Sequence, residues 1–120
     1  MKTDRELLEL AAKAAGIEVR PHPNRGISKN LIFIGSNGNW NPLSDDGDAL
    51  RLAVALGLEY VVDRVPGSGT MRQHGAPVRV RVWANWWHKV EVGPGFEIDL
   101  LAAVRLAIVR AAAAIGEAMK

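Results

Sequence analysis

Strict alternation of apolar and polar residues in two neighbouring segments limits the possible folds of this sequence more than any other feature. Residues 78–83 read Val-Arg-Val-Arg-Val-Trp, and residues 87–92 read Trp-His-Lys-Val-Glu-Val. A period of two is typical of strands with one buried face, because successive side chains point to opposite sides of a sheet. We therefore expect an antiparallel hairpin closed by residues 84–86. Its apolar face would pair Val78 with Val92, Val80 with Val90, and Val82 with His88.

The other face of this hairpin is the best candidate for an interaction surface. It would carry Arg79, Arg81, Trp83, Trp87 and Lys89, with Arg79 opposite Glu91, Arg81 opposite Lys89, and Trp83 opposite Trp87. Aromatic and basic side chains together suit single-stranded nucleic acid, through base stacking and phosphate contacts. They equally suit a protein partner, since Trp and Arg dominate binding hot spots. A third interpretation is that a helix covers this face and leaves only the tips of the arginines in water.

Capping signals predict the first two helices. A Thr-x-x-Glu capping box at Thr3 and the glycine at Gly16 indicate a helix over residues 4–15. A second helix is expected to begin after a cap at one of residues 44–46 and to end at Gly57.

Two apolar segments predict further strands. Residues 31–34 are bounded by turn formers, and residues 58–65 are rich in β-branched side chains. Residues 20–30 contain two prolines and a glycine, which favour a loop. Residues 36–48 are polar and are also expected to form a loop that enters the second helix.

A third helix begins near Asp99 and carries an apolar stripe at helical spacing. The stripe consists of Leu100, Leu101, Val104, Ile108, Ala111, Ile115 and Met119. Leu106 and Val109 project to the side that should face water, so this side either packs on another element or forms a homodimer. Because Arg105 and Arg110 interrupt the apolar run, we do not expect it to span a membrane.

Together these segments predict one domain over residues 1–120, of the α+β class. The expected order is α-β-α-β-β-β-α, with helices packed on an antiparallel β-meander. The sequence contains no cysteine, which excludes disulfides and thiolate chemistry and favours the reducing cytoplasm. The amino terminus is charged and amphipathic, unlike a secretory signal, and the net charge of +2 is too small to indicate nucleic acid by itself.

One segment resembles a known family. Trp40-Asn41-Pro42 leads into Ser44-Asp-Asp-Gly-Asp-Ala-Leu-Arg-Leu-Ala-Val-Ala-Leu56, and an alanine-rich helix closes the sequence over residues 101–112. This pattern is similar to the phage α-β-α sandwich domain family of small bacteriophage and prophage proteins. The resemblance implies an α/β/α sandwich and a phage protein in the cytoplasm of a bacterial host. The family has no assigned activity, and its last helix often carries a cysteine that this chain lacks.

The polar loop also contains oxygen donors whose spacing echoes a calcium loop. These donors are Asn37, Asn39, Asn41, Asp45 and Asp48. Pro42 stands where a calcium loop needs glycine, and the bidentate glutamate is missing, so a metal is not expected. We expect Trp40, Asn41, Pro42 and Asp45 to be structural: the polar side chains satisfy the turn and cap the second helix, and Trp40 covers the core.

No pattern of catalytic residues is apparent elsewhere. His22, His74 and His88 lack the spacing of a zinc site, and no nucleophile elbow or phosphate-binding loop is present. We therefore expect no cofactor and predict a non-catalytic module that binds a host or phage protein. The alternative is a small nucleic-acid-binding module that uses the basic hairpin, and an enzyme is the least favoured class.

Overall fold

A computed structural model of the chain describes residues 2–21, 33–35, 38–64, 78–84, 88–95 and 99–119. Its elements are α1 (Asp4–Ala15), β1 (Arg20–Pro21), β2 (Phe33–Gly35), β3 (Gly38–Trp40), α2 (Asp46–Leu56), β4 (Glu59–Arg64), β5 (Val78–Ala84), β6 (His88–Gly95) and α3 (Leu100–Ala118). This order confirms the α+β class and the predicted succession of helices and principal strands, with the short strands β1 and β3 in addition.

The ends of the first two helices form as their capping residues predict. The Thr3 hydroxyl accepts a hydrogen bond from the Glu6 amide at 3.2 Å, and the Glu6 carboxylate accepts one from the Thr3 amide at 3.4 Å. Gly16 then adopts a left-handed conformation with φ of 70°, which an L side chain would disfavour. Helix α2 is bounded in the same way by Asp45 and Gly57.

The main sheet has the order β4-β5-β6, and both of its strand pairs are antiparallel. Val80 pairs with Val92, Val82 with Val90, and Ala84 with His88. The predicted hairpin register is therefore wrong by two residues. A shift of two leaves every side chain on its predicted face, because the strand period is also two. Alternation consequently identifies the buried face correctly but cannot distinguish these two registers.

A second, smaller sheet has the order β1-β2-β3. Arg20 pairs with Ile34 and Pro21 with Phe33, so the start of the predicted 20–30 loop is a strand. Residues 38–40 pair with residues 33–35, so part of the predicted polar loop is also a strand. These segments are only two or three residues long, too short for a period to be visible in the sequence.

Helix α3 is the centre of the packing, and it contacts α1, α2, β5 and β6. The buried positions of α3 are mostly alanines, together with Ile108, Val109 and Gly116. Small side chains let neighbouring backbones come close: a Cβ atom at Gly116 would lie 2.0 Å from the carbonyl oxygen of Leu10 on α1. The core joins these residues to the fully buried Leu8, Leu52 and Val80.

Val109 is fully buried and Leu106 is half-buried, so of the two alternatives for this side of α3, packing on another element is the one observed at Val109. The prediction of the apolar stripe is wrong at its ends, where Leu100, Leu101 and Met119 are exposed. The alanine side of α3 faces its neighbours, so the largest side chains of this helix do not define its buried side.

The three helices lie on one side of the main sheet. Val80 and Val82 face α3. Tyr60 and Val90 both pair with Val82, so they lie on this same face of the sheet, and each lines a groove together with helix residues. The opposite face carries no helix within the described ranges, in contrast to the sandwich that the family resemblance implies. None of the described helices is both long enough and apolar enough to cross a membrane.

Candidate functional site

The outer face of the main sheet, which is turned away from the helices, carries most of the predicted interaction residues. It consists of Glu59, Val61 and Asp63 on β4, Arg79, Arg81 and Trp83 on β5, and Lys89 and Glu91 on β6. Trp87 was predicted to stand beside Trp83 and lies outside the described residues. The outer face thus has a central row of two arginines and a tryptophan on β5.

Asp63 is the residue that organises this surface. Its carboxylate accepts two hydrogen bonds from Arg79, from Nη2 at 2.7 Å and from Nε at 3.3 Å, and a third from Nη2 of Arg81 at 3.1 Å. The bidentate geometry matches the planar guanidinium to the carboxylate and fixes both groups. The pairing of Asp63 with Arg79 across β4 and β5 brings these side chains together.

The contacts of Asp63 shift its protonation equilibrium. The hydrogen bond from Arg79 holds the pKa of Asp63 below the ordinary carboxyl value, and the charges of Arg79 and Arg81 act in the same direction, against desolvation. The same hydrogen bond raises the pKa of Arg79 above its ordinary value. Asp63 is therefore an anchor that stays ionised, and these shifts do not suit it to proton transfer near neutral pH.

We expect Asp63→Asn to lower the free energy of unfolding at pH 7. We also expect the free energy of unfolding of this variant to fall less than that of the wild type when the pH is lowered. Because the pKa of Asp63 is lowered in the folded state, its contribution is present above the unfolded-state pKa of about 3.9 and is lost as the pH falls below it. Urea midpoints of the wild type and the variant should therefore converge as the pH falls below about 4. Asp4→Asn, on the exposed first turn of α1, is the control. A constant difference between wild type and Asp63→Asn at all pH values would contradict the assignment.

Arg81 and Trp83 form a fixed pair on β5. The guanidinium carbon of Arg81 lies 5.4 Å from the centre of the Trp83 ring, within the range of a cation–π contact. The Nε atom of Arg81 is buried and has no hydrogen-bond acceptor among the described residues.

The charges of the outer face nearly balance. Glu91 lies 3.9 Å from Nε of Arg79 and 3.8 Å from Nζ of Lys89, in addition to the contacts of Asp63. The described outer face therefore carries three cations, Arg79, Arg81 and Lys89, and three acids, Glu59, Asp63 and Glu91. A nucleic-acid surface needs unneutralised cations for phosphate, so this balance does not favour that alternative.

Trp40, Asn41, Pro42 and Asp45 lie around the start of α2, where they are buried or make hydrogen bonds. The Asn41 amide donates to the Asp48 carboxylate at 2.9 Å, and the Asn41 side chain accepts from the Leu43 amide at 3.0 Å. The Asp45 carboxylate caps α2 by accepting from the Asp48 amide at 2.8 Å. Trp40 and Pro42 are buried. These contacts use the carboxylate oxygens that a metal would need.

The remaining predicted positions form no catalytic cluster. His88 begins β6 on the face toward the helices, whereas His22 and His74 lie outside the described residues. The described part of the chain contains no group of three histidine, aspartate or glutamate side chains that could hold a metal ion. Leu106 lines a groove of about 490 Å³ between α1, α3 and β6.

Sequence reasoning missed Asp63 and Val61 as members of this surface. Asp63 precedes Arg79 by sixteen residues, and only the pairing of β4 with β5 joins them. Comparison with known proteins adds no candidate residues: no family model, curated protein or solved structure matches the chain.

Proposed function

We propose that this chain is a small, non-catalytic phage or prophage protein that binds a host or phage protein in the bacterial cytoplasm. The observation that carries the proposal is the Arg81–Trp83 cation–π pair on the outer face of the main sheet. Trp and Arg supply most of the binding energy in protein interfaces, especially where they are held rigid before binding. The phage origin is supported by the Trp40-Asn41-Pro42 segment alone.

The partner's contact region would combine apolar surface with hydrogen-bond acceptors. Val61 and the Trp83 ring offer apolar contact. Arg79 and Arg81 are already oriented by their ion pairs with Asp63. Because these ion pairs exist before binding, little side-chain entropy is lost when a partner docks. The two grooves of the described residues are lined from the helix side of the sheet, and a sheet face without such a groove suits a folded protein partner better than a small molecule.

The test is capture of a partner from a bacterial lysate with the immobilised chain and a crosslinker. Trp83→Ala should reduce the yield of the captured protein at least tenfold, the effect expected at a binding hot spot. Leu100→Ala is the control, since Leu100 is an exposed apolar residue on α3, on the other side of the main sheet and outside the outer face. Equal yields from wild type and Trp83→Ala would overturn the assignment of this face.

The same proteins test the nucleic-acid alternative. A labelled single-stranded oligonucleotide that binds through this face would lose affinity steeply as salt rises, and Arg81→Glu would weaken it further. Binding that is absent, or that does not change with salt, would exclude the outer face as a nucleic-acid surface.

A further inference from the structure

The two edges of the main sheet differ in how well they are protected. The β6 edge carries Lys89, Pro94 and Gly93 with a φ of 94°, and its pairing with β5 is irregular near Val78. Charges, prolines and bulges are the usual means of preventing an edge from pairing with another chain. Strand β4 also carries charges, Glu59 and Asp63, but it contains no proline, its six residues pair in unbroken register with β5, and the described residues supply no strand on its other side.

An apolar patch adjoins the β4 edge. This edge patch consists of Tyr60 and Val62 on β4, Leu50 on α2 and Leu101 on α3, with exposed fractions of 48%, 40%, 55% and 60%. Tyr60, Leu50 and Leu101 also line a groove of about 190 Å³. Isolated apolar side chains on a surface need no explanation, but a cluster next to an open strand does.

We propose that a second copy of this chain occupies the β4 edge. The two β4 strands pair antiparallel about a two-fold axis perpendicular to the sheet and extend it from three strands to six. Such an axis keeps the helices of both copies on the same side of the extended sheet. The edge patch of one copy then meets the edge patch of the other, as an isologous interface requires.

The shape of the edge patch favours a second copy over an extended peptide. Tyr60 and Val62 belong to the sheet layer, whereas Leu50 and Leu101 belong to the helix layer. A peptide that adds one strand would cover the sheet layer and leave the helix layer in water. A second copy supplies a free strand for the sheet layer and apolar side chains for the helix layer.

The apolar residues of β4 select one register. Residues that pair across two antiparallel strands lie on the same face of the sheet. The side chains of β4 alternate between faces, so the two-fold axis must lie level with one residue of β4 and cannot lie halfway between two successive residues. Only an axis through Val61 pairs all three apolar residues with apolar partners: Val61 with itself, and Tyr60 with Val62 of the second copy. This register also places Glu59 opposite Asp63 of the second copy. The repulsion is offset by the arginines that already contact Asp63.

The area is consistent with a stable dimer. The edge patch leaves on the order of 400 Å² of apolar surface in water, within the range of the largest patches on monomers. The backbone and polar side chains of β4 add to this area when the strands pair. The sum approaches the roughly 800 Å² that each partner contributes to a standard interface.

Sedimentation of adjacent variants tests the proposal. We expect the wild type to sediment at twice its mass of 13.0 kDa, and Leu101→Glu to raise the dissociation constant at least about tenfold by placing a charge in the interface. Leu100→Glu is the matched control, because Leu100 is exposed on the same turn of α3 but does not line the groove. A wild type that stays monomeric up to about 100 µM would overturn the dimer, as would equal effects of both variants.

Cysteine crosslinking tests the register independently of mass. The chain contains no cysteine, so single substitutions Tyr60→Cys, Val61→Cys and Val62→Cys each provide one thiol per copy. Directly opposite residues in antiparallel strands have Cα atoms about 4.5–5.5 Å apart, which suits a disulfide. Val61→Cys should form a covalent dimer under mild oxidation, and Leu100→Cys should not. Crosslinking at none of the three β4 positions would overturn the paired edge. Because Trp83 lies away from this interface, a lost dimer and a lost partner remain distinguishable.

Discussion

Gly116→Ala is expected to destabilise the fold by roughly 3 kcal/mol, the upper end of the cost of overpacking a core. A Cβ atom at this position would lie 2.0 Å from the carbonyl oxygen of Leu10 and 2.8 Å from its carbonyl carbon. Both are backbone atoms, so relief requires α1 and α3 to move apart. In an ordinary helix interior the same substitution is favourable by about 1 kcal/mol, so the packing contact reverses the expected sign.

Gly47→Ala is the matched control for this prediction. Gly47 lies in α2, and its Cβ would approach the guanidinium of Arg51 and the carboxylate of Asp45 at 3.2–3.3 Å. The Arg51 side chain is exposed and can move away, so Gly47→Ala should be neutral or mildly stabilising. Urea unfolding midpoints would measure both effects. A Gly116→Ala variant as stable as the wild type would show that α1 and α3 are not in close contact.

Val109→Lys is expected to prevent stable folding. Val109 is fully buried in the core between α3 and its neighbours, and a lysine there would place an ammonium group among apolar side chains. The cost of a buried, unpaired charge is at least about 4–5 kcal/mol, comparable with the whole stability of many small domains. Circular dichroism and the soluble yield would detect the loss of structure.

Val54→Lys provides the comparison, because it makes the same change on a helix at a valine that is 73% exposed. It should leave the helix content and soluble yield unchanged. The outcome of Val109→Lys also separates two descriptions of α3. If the variant folds normally and only its sedimentation changes, Val109 lies at a subunit surface, which is one of the two alternatives that the sequence pattern leaves open. Loss of folding would place Val109 in the core.

Local signals in the sequence are sufficient for the ends of α1 and α2. Thr3, Gly16, Asp45 and Gly57 act through hydrogen bonds and backbone conformations within a few residues, and all four occupy the expected caps. The faces of β5 and β6 are also predictable, since a strand period of two is visible over six residues. These parts of the fold depend little on distant contacts.

Helix α3 could not be oriented in the same way. It carries apolar side chains all round, so periodicity does not single out one buried side. Val109 is buried and Leu101 is exposed, although Leu101 is the larger residue. The buried side is the one whose alanines and Gly116 permit close approach, a property of the neighbouring backbone rather than of hydrophobicity.

The candidate site was predictable only in part. Arg79, Arg81, Trp83 and Lys89 share one face as the alternation indicates. Their electrostatic character was not predictable, because it depends on Asp63, which reaches them through strand pairing. A surface that looks basic in the hairpin sequence is close to neutral once β4 is added.

The central position of α3 has a consequence for the biosynthesis of this protein. Its contacts with α1, α2 and the main sheet connect the buried faces of Leu8, Leu52 and Val80 in one core. Residues 100–118 are translated after all of these elements, so the nascent chain exposes their apolar faces until α3 leaves the ribosome. Folding must therefore wait for the last helix, and the preceding segments are natural substrates for chaperones during that interval.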